Sequence, residues 1–348
     1  MPRLRRVSCS APGLSRRRRG RGFEYVDAGG NRVTDEATLA RIAALVIPPA
    51  WTDVWICPLA NGHVQATGLD ARGRRQYRYH DAWRVQRDIE KHDRVLEFAA
   101  RLPAARERLL EHLRGTDQLT RERVLACAVR LIDLGFFRVG GERYAEENGS
   151  YGLATLRKEH VRITTAGEIE LEFLGKSGKL WQRSLVEAEV VDVVRRLKRR
   201  RGGGAELLAY REGRQWVDVK SGDINAFLRE VTGIEATAKD FRTWSATVLA
   251  AVGLAVSTHA ATSPTARKRA ITRVVQEVAD KMGNTPAVCR SSYIDPRIVD
   301  LYENGATIAG DLDELGVDAA HGEPAFQGAV EAAVLRLMRD PAEERLAG

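Results

Sequence analysis

Near residue 81 the spacing of apolar residues changes character, so this one chain has to form two kinds of structure. Before that point, short runs alternate between turn residues. Phe23 to Asp27 and Asn31 to Thr34 flank Ala28-Gly29-Gly30, and Trp51 to Ile56 and Val64 to Thr67 flank Asn61-Gly62. Such runs predict antiparallel strands. One helix interrupts them, capped at Thr34 or Asp35, with Leu39, Ile42, Ala43 and Val46 as its apolar face and Pro48-Pro49 as its stop. From about Asp81 the chain turns charged and helical. Arg94 to Leu113 and Thr120 to Phe137 read as helices, and Thr237-Ala-Lys-Asp240 is a capping box opening another through Val256. Ser263-Pro264 opens the most regular helix, with Ala270, Ile271, Val274, Val275, Val278, Ala279 and Met282 on one face and Gly283 as its end. Asp295-Pro296 opens one more. A single stretch of this half returns to period two. Ile169, Leu171 and Phe173 alternate with glutamates, Gly175-Lys176-Ser177-Gly178 turns the chain, and Leu180-Trp181-Gln182-Arg183 comes back. That is a β-hairpin with Lys176 at its tip.

The expected fold is therefore α+β: a small β-rich domain over residues 23–88 and a larger, mainly α domain over 89–348 that carries a β-hairpin or small sheet. The length of 348 residues fits roughly two domains of about 150 residues each. With 44% hydrophobic and 29% charged residues, the chain has enough apolar side chains for a real core. No run approaches the ~20 apolar residues of a membrane span, and no segment has the layout of a signal peptide. Cys9, Cys57, Cys127 and Cys289 lie far apart, without metal-ligand spacing, and are expected as small buried apolar groups in a reducing, cytoplasmic setting. The net charge of +8 is unevenly placed. Residues 1–22 hold eight arginines and no acid, while the remaining 47 basic residues are matched by 47 acidic ones. That arginine-rich segment, 1–22, is expected to be a disordered tail able to grip a polyanion.

Familiar catalytic motifs are missing: there is no P-loop, no G-x-G-x-x-G after a strand, no H-E-x-x-H and no G-x-S-x-G. The seven histidines offer no metal-ligand pair, so no metal and no cofactor is expected. Arginine, lysine and tyrosine are left to carry any chemistry.

Five stretches then point one way: Gly73-Arg-Arg-Gln-Tyr-Arg-Tyr79, Gly135-Phe-Phe-Arg-Val-Gly140, Phe173-Leu-Gly-Lys176, Lys239-Asp-Phe-Arg-Thr-Trp244 and Gly283-Asn-Thr-Pro-Ala-Val-Cys-Arg-Ser-Ser-Tyr-Ile-Asp295. Carried in this order from about Phe23 to Asp318, they resemble the type IB DNA topoisomerases in the small, poxvirus-like form also found in bacteria. The resemblance implies the catalytic fold shared with tyrosine recombinases and a monomeric, C-shaped clamp around double-stranded DNA, with no membrane and no obligatory protein partner. It implies that Tyr293 is a nucleophile forming a 3′-phosphotyrosyl bond, that Arg138 and Arg242 hold the nonbridging phosphate oxygens, and that Lys176 protonates the leaving 5′-oxygen. The residue types suit that chemistry, because a metal-free phosphoryl transfer must take its charge stabilisation from fixed cations, and the arginine fork meets two oxygens at once. Asn284 stands where the wider family often has histidine, and its amide can still donate to a phosphate oxygen. Further implied DNA contacts are Gln76 and Tyr77 at base edges, Arg72, Arg74 and Tyr79 nearer the backbone, Tyr144 at a phosphate near the cut, and Lys239 beside the active site.

Two other functions remain to be weighed. A tyrosine recombinase shares the Arg, Lys, Arg, Tyr set but usually carries His-x-x-Arg where this chain has Lys239-Asp-Phe-Arg242. A non-catalytic DNA-binding protein using the arginine-rich segment would bind with steep salt dependence and form no covalent adduct.

Overall fold

A computed structural model gives the structure of the protein and describes residues 3–258, 260–315 and 327–339. The chain divides into two compact units, Met1–Asp93 and Arg94–Gly348. The first unit contains β1 (Leu14–Arg19), β2 (Gly22–Val26), α1 (Glu36–Ala44), β3 (Thr52–Ile56), β4 (Val64–Leu69) and β5 (Arg75–Tyr79). The strands form one antiparallel sheet in the order β2-β1-β3-β4-β5. Asp35 caps α1 by accepting from the Thr38 amide at 2.7 Å, and Ile42 packs the helix onto Leu14, Val54, Ile56 and Ala66.

Three expectations change here. Residues 14–19 belong to a segment expected to be disordered, yet they form an inner strand of this sheet. Leu14 is buried opposite Ile56, and Arg16 lays its guanidinium 4.1 Å over the Phe23 ring while donating to the carbonyls of Pro48 (3.0 Å) and Trp51 (2.6 Å). Arginine stems are apolar enough to occupy such a position. Further upstream, Arg5 donates to Asn61 and accepts from His63, both at 2.9 Å. Val46, expected on the apolar face of α1, lies beyond the end of the helix at φ 46° and is 71% exposed. Of Asn31 to Thr34 only Arg32 pairs with β2, through a single bridge to Val26.

Helix α2 (Asp81–Arg114) starts well before the predicted Arg94, and the division between units falls inside it, after Asp93. Its early turns are held by side-chain pairs such as Arg87–Glu90 and Lys91–Asp88, which leave no apolar stripe to read.

In the second unit follow α3 (Arg121–Gly135), α4 (Glu142–Asn148), β6 (Val161–Ile163), β7 (Ile169–Leu174), β8 (Leu180–Leu185), α5 (Ala188–Arg199), β9 (Ala209–Glu212), β10 (Gln215–Asp218), α6 (Ser221–Thr232), α7 (Ala238–Ser257), α8 (Pro264–Met282), α9 (Pro286–Ser292), α10 (Pro296–Glu303), α11 (Ala309–Leu315) and α12 (Ala329–Arg339). Strands β6, β7 and β8 make a small antiparallel sheet, and β9 with β10 a separate hairpin. Helices α3 and α7 are buried along most of their length and form the centre of the unit.

A buried ionic cluster ties α2, α3 and α12 together. Asp133 is 3% exposed and accepts two 2.8 Å bonds from Arg106 and a further bond from Arg130. Arg106 also donates to Glu331 of α12, whose carboxylate accepts from Trp244 Nε1 at 2.9 Å. Burial alone would raise the Asp133 carboxyl, but Arg106 and Arg130 outweigh it and hold the group below its usual value. Replacing Asp133 with Ala takes one carboxylate from two buried guanidiniums, which keep Glu331 and Glu187, and is expected to cost about 1.5–3 kcal/mol in a denaturant titration at pH 7. Because the folded value is depressed, the stabilisation is complete above the unfolded carboxylate value near ~4 and drains away as pH falls through the folded one. The variant should therefore lie closest to wild type in acid.

Candidate active site

The C-terminus of α3 sets the first side chain. Phe136 adopts the left-handed conformation and donates to Ile132 at 3.0 Å, which ends the helix and sends Arg138 away from its axis. The strand-like segment after it is fastened by Leu153 donating to the Arg138 carbonyl (2.9 Å) and Ala154 donating to that of Val139 (2.7 Å). That pairing brings Gly140 and Gly152 so close that a Cβ on Gly152 would stand 2.4 Å from the Gly140 Cα.

Arg242 lies in the second turn of α7 and is 2% exposed. It donates to the Phe136 carbonyl and, at 2.9 Å, to that of Met282, so it stitches the ends of α3 and α8 together. Burial, reinforced by the charge of Arg138, pushes its guanidinium down to about 10, which leaves it charged at neutral pH. Helix α8 ends at Gly283, φ +61°, whose missing Cβ makes room for the Trp181 ring; a Cβ there would lie 2.1 Å from that ring. Asn284 follows, 8% exposed, its side-chain oxygen accepting from Arg138. Its Nδ2 is buried with no partner among the described residues.

Tyr293 closes α9, where its amide donates to Cys289 at 3.0 Å. Its carbonyl accepts from Thr247 Oγ1 at 3.4 Å, so α7 holds both this residue and Arg242. The half-buried ring lies under two cations, with the Arg242 guanidinium 5.1 Å and Lys239 Nζ 5.9 Å from its centroid. Burial pushes the phenol up, but the charge and hydrogen bond of Arg242, with Arg138 and Lys239 behind it, pull it below its ordinary value. A tyrosine so placed ionises more readily than one in water, the change an attacking oxygen needs. Cys289, beside Arg242, is pushed up to about 11 by burial and stays a neutral thiol. Cys57, Cys127 and Cys289 are buried, whereas Cys9 is only half-buried.

The structure thus brings Arg138, Arg242, Asn284, Tyr293 and Lys239 to one place. Lys176, exposed in a tight turn between β7 and β8, joins them through a shallow depression that it lines together with Arg138, Tyr151 and Trp181. Tyr144 falls in α4, but its side chain lies outside the described part of the structure. Thr247 and Trp181, which carry no motif of their own, are the supporting residues that sequence reasoning missed. Trp181 could have been suspected from its place on the hairpin.

In the first unit, β5 is an edge strand. Gln76 and Tyr77, expected to face base edges together, point to opposite sides because strand residues alternate. Tyr77 and Tyr79 are exposed and stack on one another, ring centroids 5.9 Å apart. Gln76 shares the other face with Arg78, which reaches the Val46 carbonyl at 3.0 Å beyond α1. Gln76 and Arg74 both bond to Asp70, at 2.9 Å and 2.7 Å, while Arg72 is exposed on the adjoining turn. Asp70 is held well below the usual carboxylate range, chiefly by its hydrogen bonds with Arg74.

Two family models match this chain. One, described as the catalytic core of eukaryotic DNA topoisomerase I, covers residues 80–313, and one described as the N-terminal domain of bacterial DNA topoisomerase IB covers residues 22–70. Together they define an enzyme of the DNA topoisomerase class. A DNA topoisomerase 1B of Acanthamoeba polyphaga mimivirus is 31% identical over 299 residues, which are 84% of this chain and 88% of that protein. DNA topoisomerase 1 of Candidozyma auris is 33% identical over 26% of this chain, and that of Daucus carota 29% identical over 37%, spans that make up 12% and 15% of those longer proteins. The chain belongs to the type IB DNA topoisomerase family. No helix among the described residues is long and apolar enough to cross a membrane.

Proposed function

We propose that the protein relaxes supercoiled duplex DNA by cutting and rejoining one strand through Tyr293. The phenol oxygen bonds to a backbone phosphorus and the bond from phosphorus to the 5′-oxygen breaks, leaving a 3′-phosphotyrosyl ester and a free 5′-hydroxyl. The phenol proton passes to water, and Lys176 supplies the proton that the 5′-oxygen takes up. Arg138, Arg242 and the Asn284 amide hold the nonbridging oxygens as charge builds in the transition state. One phosphodiester is exchanged for another, so the 5′-hydroxyl can attack back after the strand has swivelled, and resealing needs no ATP. The guanidiniums take the electrostatic role that a metal ion has in other phosphoryl transfers, which leaves the reaction independent of metal.

The observation that carries this reading is the convergence of Arg138, Asn284, Arg242 and Tyr293 from four separate elements, with Asn284 Nδ2 left unpaired. A buried amide donor without a protein acceptor fits a group reserved for a phosphate oxygen. Lys239 and Tyr144 extend the contact along the cut strand. Tyr77 and Tyr79 lie in the major groove with Arg72 and Arg74 towards the phosphates, and the protein acts on the duplex as a monomer in the cytoplasm. The test is relaxation of a supercoiled plasmid in EDTA without ATP, quenched with detergent. Relaxation, with protein trapped on the 3′ side of the nick and a free 5′-hydroxyl opposite, is expected. Failure to relax, or protein attached to the 5′ side, overturns the reading.

A further inference from the structure

The charge of the first unit has a single source. Its 93 residues hold 17 basic and 10 acidic side chains, of which residues 1–22 supply eight arginines and no acid. Without that segment the unit would carry nine basic and ten acidic residues and would repel a polyanion. The structure describes the segment from residue 3 onward, and most of it precedes residue 22, where the N-terminal family match begins. Where its arginines point therefore decides how this unit meets DNA.

The register of the sheet answers that. Ser15 pairs with Trp55, Trp55 with Thr67 and Thr67 with Tyr77, and residues directly opposite in antiparallel strands share a face. Alternation along β1 then puts Arg17 and Arg19 on the face of Tyr77 and Tyr79, and Arg16 and Arg18 on the face covered by α1. Arg16 is consumed there by backbone carbonyls. Arg17 and Arg19 are exposed; Glu24 is in register with Arg17 and 3.5 Å from Arg19, while Asp53 on the neighbouring strand pairs with Arg75 at 3.2 Å. An exposed pair of that kind is worth little and gives way to a phosphate. Three strand spacings separate β1 from β5, about 14 Å at ~4.8 Å each. A major groove is ~12 Å wide. With β5 in the groove, β1 reaches the phosphates along its rim.

We propose that Arg17 and Arg19 are DNA phosphate contacts of the sheet unit, set by β1 on the same face as Tyr77 and Tyr79. The inference rests on the reading that this face meets duplex DNA. Each phosphate contact releases counterions, so the log of affinity falls against the log of salt with a slope of ~0.9 per contact. The experiment is fluorescence anisotropy of the full-length protein on a labelled 30-base-pair duplex at several salt concentrations. The double variant R17Q/R19Q should bind more weakly and lose about 2 from the slope. R17K/R19K should keep the slope, since lysine also neutralises a phosphate, and R18Q, on the opposite face, should leave it where it is. An unchanged slope in R17Q/R19Q, or an equal change in R18Q, overturns the proposal. Plasmid relaxation by the wild-type protein is scored alongside; its failure would sink the topoisomerase mechanism while the slopes still judge the arginines.

Discussion

Tyr293→Phe abolishes relaxation of supercoiled plasmid and forms no covalent adduct, while the variant still binds duplex DNA. The phenylalanine ring retains its place at the end of α9 beneath Arg242 and Lys239, because the position is fixed by backbone bonds to Cys289 and Thr247. Only the oxygen is lost. Removing a nucleophile outright lowers turnover on the order of 10⁵–10⁶-fold, which puts the variant below detection in an ordinary gel assay. The same change removes the phenol oxygen that lies beside the buried Arg242 guanidinium, so a small loss of stability goes with it. A melting curve separates that from the activity loss: a shift of a few degrees cannot account for a missing adduct. If the phenylalanine variant relaxed DNA at the wild-type rate, the attacking oxygen would belong to another residue, and the cations around Tyr293 would have to be explained as packing.

What the sequence disclosed about fold and site follows from which interactions are local. The Thr120 and Ser263 caps and the stripe through Met282 are set by near neighbours: α8 begins and ends where its residues predict, and α3 begins there but stops two residues early, where Phe136 turns left-handed. The β7–β8 hairpin and its lysine were legible for the same reason. Strand β1 was not, because four consecutive arginines hide an alternation that shows only once Arg16 has found carbonyls more than thirty residues away. The first turns of α2 were hidden by charge, and the β9–β10 hairpin by its brevity and exposure. Within the basic run at 195–201, Arg200 is 9% exposed and donates to Leu207 at 2.6 Å, a burial that no local pattern announces. For the site, residue types and order were legible, whereas proximity was not. Nothing local tells that Thr247 holds the Tyr293 carbonyl, or that Glu331 meets Arg106 across 225 positions. Motifs gave candidates; long-range pairing gave the arrangement.

That arrangement makes Arg242 the residue whose replacement should be felt in two independent measurements. It is expected to hold a phosphate oxygen in the transition state and, in the free enzyme, it is the cation that draws the Tyr293 phenol down. Arg242→Ala should slow single-turnover cleavage on the order of 10²–10³-fold, the usual cost of one aimed donor. Arg242→Lys should recover part of that rate but not all, since an ammonium restores the charge without the planar fork. Titrating Tyr293 by NMR on ring-labelled protein gives the second measurement. In the alanine variant the phenol should rise, because burial, which pushes it up, is then opposed only by Arg138 and Lys239. The sign fixes the pH profile: a phenol held low ionises at lower pH, so wild-type cleavage should reach its plateau at lower pH than the alanine variant. Arg242 also donates to the carbonyls of Phe136 and Met282, and leaving both unpaired costs about 1–3 kcal/mol each. A purely structural role would therefore lower the melting temperature and leave the phenol titration and the profile of the surviving folded enzyme where they were. A shift of both with Arg242→Ala, partly reversed by lysine, ties the guanidinium to the reacting oxygen; an unmoved phenol would show that Arg242 only braces the ends of α3 and α8.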